Sequence, residues 1–137
     1  MTSTQLQREL ERLEELAEAL ESRTDDLNDL IDAFSDRLEK AAVSVTAWIE
    51  SKAVPGWYFG YCKVGDRWSL AARKGRGVAM VLTAAPRKLR LAAMSRSDEL
   101  IKELADKSQT FLDDVEEATR ITKASIGEEL EDNADNH

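Results

Sequence analysis

The chain of 137 residues is long enough for one domain and too short for two ordinary ones. Its 42% apolar content excludes wholesale disorder, while 34% charged and only 6% aromatic residues point to long exposed helices around a small core. One cysteine (Cys62) excludes an internal disulfide and a Cys-based zinc site, and the one histidine, His137, is the last residue, which excludes most histidine-based chemistry.

The formal charge of −8 conceals a segregation. Residues 1–50 hold 13 acidic and 5 basic side chains, residues 51–97 hold 10 basic and one acidic (Asp66), and residues 98–137 hold 13 acidic and 4 basic. A uniformly solvated surface would interleave the signs. The longest purely apolar run, residues 78–82, is far below the ~20 residues that span a bilayer. Residues 1–9 carry neither a basic n-region nor an apolar h-region. No membrane association and no secretory leader are expected, and the expected location is cytoplasmic.

Residues 3–52 contain neither Gly nor Pro, and their apolar residues recur in heptads. Leu6, Leu13, Leu20, Leu27, Phe34, Ala41 and Trp48 form one series. Leu10, Ala17, Thr24, Ile31, Leu38 and Val45 form its companion, offset by four. The phase predicts a single helix over 3–52, roughly 75 Å long at 1.5 Å per residue. Pro55-Gly56 breaks it. Residues 57–64 and 67–73 are rich in strand formers and flank Gly65-Asp66, which predicts a β-hairpin with a two-residue turn. That register sets Tyr61 against Leu70, Lys63 against Trp68 and Phe59 against Ala72, with Trp57, Phe59, Tyr61, Trp68 and Leu70 on the inward face. Residues 78–83 are a candidate third strand, completing a head over 55–84.

Pro86 suits the first position of a short helix running to about residue 94. A capping-box spacing at Ser95 and Asp98 then opens a second long helix. Its stripe contains Ile101, Leu104, Phe111, Val115, Ala118 and Thr122, and residues 132–137 read as an acidic tail. The expected fold is one domain, mainly α with a small antiparallel β element (α+β). A long helix, a hairpin head and a returning long helix would form a coiled-coil-like stalk. The first helix outruns the second, so its N-terminal leucines need cover, and a homo-oligomer follows, most simply a dimer.

Nothing resembles a catalytic set or a glycine-rich nucleotide fingerprint, so no enzyme activity, metal or cofactor is expected. The basic middle segment is the one constellation with a binding chemistry. Arg73, Lys74, Arg76, Arg87, Lys88 and Arg90 are the candidate anion-binding residues, with Trp57 and Tyr58 as stacking residues. Arg87 and Lys88 fall in the first turn of the helix at Pro86, where free N–H groups and cations together favour an anion. The predicted function is therefore a non-enzymatic binding protein whose head takes nucleic acid or a nucleotide. Two competing explanations exist. The cations can simply neutralise the acidic helices, of the same chain or of another copy. Alternatively, an acidic stalk can serve as a protein-interaction module, even imitating nucleic acid to inhibit a DNA-binding partner.

Overall fold

A computed structural model describes residues 2–135, and side chains as far as residue 127. The order is α1 (Ser3–Lys40), β1 (Ala47–Glu50), β2 (Trp57–Val64), β3 (Arg67–Lys74), β4 (Met80–Val81), a 3-10 turn (Leu82–Ala84), α2 (Arg87–Ser95) and α3 (Ser97–Asp135). The fold class is α+β as expected, with one antiparallel sheet in the order β1-β2-β3-β4.

The helix expected over 3–52 ends at Lys40. Ala41, Val45 and Trp48 continue the heptad numerically, but residues 43–49 are dominated by strand formers, and β1 takes Ala47–Glu50. The break is built at Ala42. The Val43 N–H donates to the Leu38 carbonyl at 3.1 Å and the Ala42 N–H to that of Glu39 at 2.9 Å. This is the Schellman pattern. It requires the left-handed region, and Ala42 sits at φ 57° with none of glycine's freedom there.

The hairpin register is the expected one, pairing Phe59 with Ala72, Tyr61 with Leu70 and Lys63 with Trp68. Gly65 adopts φ 65° as the first turn residue, while Asp66 keeps a negative φ, the arrangement of a type II′ turn. The third strand is only Met80–Val81, paired with Ala72 and Ala71. Pro86 lies one residue before α2 rather than in its first position, and Arg87 and Lys88 do open the helix. The expected capping box at Ser95 is absent, because the Ser95 hydroxyl donates back to the Leu91 carbonyl at 2.8 Å. α2 and α3 meet almost directly at Arg96. α3 runs to Asp135, so most of the expected tail is helical; residues 136 and 137 lie outside the described residues.

Ala47, Phe59, Tyr61, Leu70 and Ala72 from the sheet pack with Ile31 of α1, Leu89 and Ala93 of α2, and Leu100 and Leu104 of α3. All three helices thus lie on one face of the sheet, α1 against β3, α2 against β2 and α3 against β1. The Tyr61 ring stacks on Trp68 at 5.5 Å, and its hydroxyl donates to the Val43 carbonyl at 3.0 Å.

Side chains close both sheet edges. β4 is too short to cover β3 beyond Ala71. There the Leu70 N–H donates to Ser35 Oγ at 3.0 Å, and Arg67 pairs with Glu39 at 2.9 Å, with the Trp68 backbone helping to hold the Glu39 carboxyl below its usual range. On the far side, Arg96 and Lys107 donate to the β1-edge carbonyls of Glu50 and Thr46 at 3.0 and 3.2 Å. These contacts set helix direction. Four residues forward along α1, from Ser35 to Glu39, is three residues back along β3. Eleven residues forward from Arg96 to Lys107 is four residues back along β1. Because β1 and β3 both pair antiparallel with β2, α1 and α3 run roughly the same way.

The free half of α1 is N-terminal and the free half of α3 is C-terminal, so the two leave the head from opposite ends. This corrects the expected stalk. Residues 2–23 and 105–126 are exposed throughout, and neither covers the other. The sheet edges dictate helix direction, and heptad phase alone carries no such information.

Two outcomes follow. Ala42→Gly relieves the left-handed strain and raises stability by about 0.5–1 kcal/mol in urea denaturation, whereas Ala42→Val lowers it. Glu39 is held below the usual carboxylate range, chiefly by the Arg67 hydrogen bond. A depressed carboxylate lends stability above its unfolded pKa and loses it as pH falls through the folded one. The advantage of wild type over Glu39→Gln, present at pH 7, should therefore vanish on acidification below the ordinary Glu range. A denaturation midpoint measured against pH for both proteins checks this.

Candidate anion-binding site

The sheet has two chemically different ends. At one, the β2–β3 turn presents Asp66 and Arg67 beside Asp32 and Asp36 of α1, around an open hollow of about 500 Å³. At the other, the segments after β1 and after β3 meet, with the Gly75 N–H donating to the Gly56 carbonyl at 2.7 Å. Lys74 and Arg76 belong to this second end. Lys52 joins them from the β1–β2 connection, and Lys88 shares a shallow groove with Lys52, Leu91 and Arg96. Arg87 is exposed beside Lys88 at the start of α2, where no side chain caps the helix.

Arg73 is one residue earlier on β3 and points to the sheet face that bears no helix. Its guanidinium lies 4.5 Å from the Trp48 ring centroid and 5.1 Å from that of Tyr58. Stacked so, its faces are occupied and its charge is held in place. Its Nε is buried without a hydrogen-bond partner among the described residues. Trp48 lies across Gly60, where a Cβ would stand 2.0 Å from the Ala47 carbonyl oxygen and 2.8 Å from the indole. Gly60 is thus required by β1 and by the ring above it, not by a turn.

The six candidate cations therefore divide. Lys74 and Arg76 lie at the basic end, where Lys88 meets Lys52 with Arg87 alongside, and Arg73 faces outward on the open sheet face. Arg90 is turned away, donating to Asn28 Oδ1 of α1 at 2.7 Å. None of the six has a carboxylate within 4 Å among the described residues; of the middle segment's cations, Arg67 and Arg96 are the ones in ion pairs. Of the two stacking candidates, Tyr58 is on the open face beside Arg73, while Trp57 packs against the core. Trp48 and Lys52 join the site although sequence reading missed both. Trp48 was hidden by its fit to the heptad, and the alternation of Trp48 with Ala47 and Ile49 was the available signal.

Cys62 lies on the open face but is buried, and burial pushes its thiol up, outweighing the pull of the Arg73 cation. It is a small packing residue there. Comparison with known protein families, curated proteins and solved structures finds no match to this chain. The residues alone carry the functional reading.

Gly60→Ala should displace Trp48 from Arg73. The expected outcome is a loss of about 1–3 kcal/mol, as overpacking causes, with a red-shifted tryptophan emission in the folded state. Unchanged emission would mean the ring tolerates the methyl group.

Proposed function

We propose that the protein is a non-enzymatic, homo-oligomeric binding protein whose cationic end captures an anionic ligand, with nucleic acid or a nucleotide the natural chemistry. One observation supports this above all. Lys74, Arg76, Arg87 and Lys88 gather with Lys52 around one end of the sheet, without carboxylate partners among the described residues. Neutralisation within the chain accounts for Arg67 and Arg96, and Lys52 feels the Glu99 carboxylate, but Lys74, Arg76, Arg87 and Lys88 have no carboxylate within 4 Å among the described residues. The bulk of the acidic charge lies on helices that leave the head, and is screened beyond ~8 Å at physiological salt. Tyr58 and Trp48 flank Arg73 on the adjacent open face, where an unpaired base finds aromatic surface.

A second reading has its own support. The uncovered halves of α1 and α3 carry apolar stripes among acidic side chains, which suits a protein-interaction module engaging a basic partner, including imitation of nucleic acid.

The test is fluorescence anisotropy at low salt with labelled single-stranded DNA, single-stranded RNA and a mononucleotide. Binding through three or four phosphates should weaken about 20- to 50-fold between 50 and 200 mM salt. Lys74→Glu/Arg76→Glu and Arg87→Glu/Lys88→Glu should each abolish it, and Arg90→Gln should leave it unchanged if the protein stays folded. No binding to any of the three ligands, or equal binding by the charge-reversed variants, favours the interaction module.

A further inference from the structure

The half of α1 outside the head, residues 2–23, is a rod of roughly 32 Å at 1.5 Å per residue. Leu6, Leu10, Leu13, Leu16 and Leu20 on it are between 43% and 62% exposed. Its stripe is the outward continuation of the one that the sheet covers through Leu27, Ile31, Phe34 and Leu38. In heptad terms Leu10, Ala17 and Thr24 are a positions, Leu6, Leu13 and Leu20 are d positions, and Glu9, Leu16 and Arg23 are g positions. We propose that the α1 arms of two copies pair antiparallel about a two-fold axis, each covering the other's leucines. This rests on the homo-oligomer reading above and assigns the surface that makes the oligomer.

Three observations select a second copy in that orientation. The first is obstruction. From Leu27 onward the sheet occupies the stripe, so a parallel partner helix, which must follow α1 in step, would run into it. An antiparallel partner instead ends there, because α1 starts at its Thr2 cap.

The second is register. Antiparallel helices oppose a with d positions. One alignment places Leu10 on the partner's Leu20, Leu13 on the partner's Ala17 and Leu6 on the partner's Thr24. Each of these pairs recurs across the two-fold axis. Every a and d leucine outside the head is then covered, and the small Ala17 receives a large residue.

The third is the flanks. The same alignment brings Leu16 against the partner's Leu16 at the axis, which explains a leucine at a g position. It also brings Glu9 against the partner's Arg23, twice per dimer. Only Glu14 meets its own copy. Parallel pairing would instead oppose Glu9 to the partner's Glu14 and Leu16 to the partner's Glu21, twice each. The α3 arm is a poorer equivalent, since Ser108, Thr119 and Thr122 interrupt its stripe.

The experiment uses the full chain with Cys62→Ala as background. Sedimentation at micromolar concentration should give twice the 15.3 kDa chain mass, and Leu13→Asp should return it to the monomer with the helical signal of the head retained. On mild oxidation, Leu10→Cys/Leu20→Cys should form a disulfide-linked dimer, while Leu10→Cys and Leu20→Cys alone should not. The two positions are about 15 Å apart on one helix, too far to bridge within a chain. Reversing Glu9→Arg should weaken the dimer several-fold, and Glu9→Arg with Arg23→Glu should restore it, since each exposed pair is worth up to ~1 kcal/mol. A monomeric wild type overturns both this pairing and the oligomer reading. A dimer in which either single cysteine links by itself is parallel, and a dimer in which the double variant fails to link uses α3. Both results overturn the proposed pairing while leaving the oligomer reading intact.

Discussion

The Leu70 N–H faces away from β2 at a point where β4 has already ended, and the Ser35 hydroxyl of α1 receives it. A sheet of four short strands cannot leave such an edge open without inviting other strands. The contact fixes more than an edge. It sets α1 along β3, places Glu39 on Arg67, and leaves the stripe from Leu27 to Leu38 resting on the sheet. Arg96 and Lys107 perform the matching task at β1 with donors in place of acceptors, as the exposed carbonyls there require. The helices are aimed by the unpaired backbone groups of the sheet they cover.

Their aim also decides which charges meet. α1 leaves the head past the lysines and arginines around Gly56 and Gly75, and α3 leaves past the turn that holds Asp66. The acidic arm of α1 thus leaves from the cationic end, and few of its carboxylates reach the cations they pass. What joins them is modest: Arg67 to Asp36 and Glu39, and Arg96 to Glu99, pairs open to solvent on at least one side and of small energetic weight.

The hairpin was legible because its signals agree. Gly65-Asp66 admits a two-residue turn, the flanking residues alternate, and the register then follows without choice. The end of α1 was not. Ala41, Val45 and Trp48 satisfy a heptad by numerical accident, and Ala42 hides a left-handed turn that glycine would have advertised. The lost strand took Trp48 with it, and so the aromatic partner of Arg73. Charge counting found Lys74, Arg76 and Lys88, because cations without neighbouring acids stand out in one dimension. It could not tell that Arg90 would reach across to Asn28, a partner 62 positions away. The pairing of the two long helices failed for a similar reason, since direction depends on contacts distant in sequence.

The capping box at Thr2 and Gln5 ends the solvated arm of α1. Starting a helix in water is improbable, with a nucleation factor of about 10⁻³. Here the sheet supplies the first turns at Leu27 to Leu38, so residues farther out need only extend them. Unwinding would ordinarily begin at the distant tip, but there the Thr2 hydroxyl accepts from the Gln5 N–H and the Gln5 amide oxygen accepts from the Thr2 N–H. The rod is anchored at its root and pinned at its tip, which leaves the stretch between Leu20 and Leu27, with no large apolar side chain in it, as its softest section.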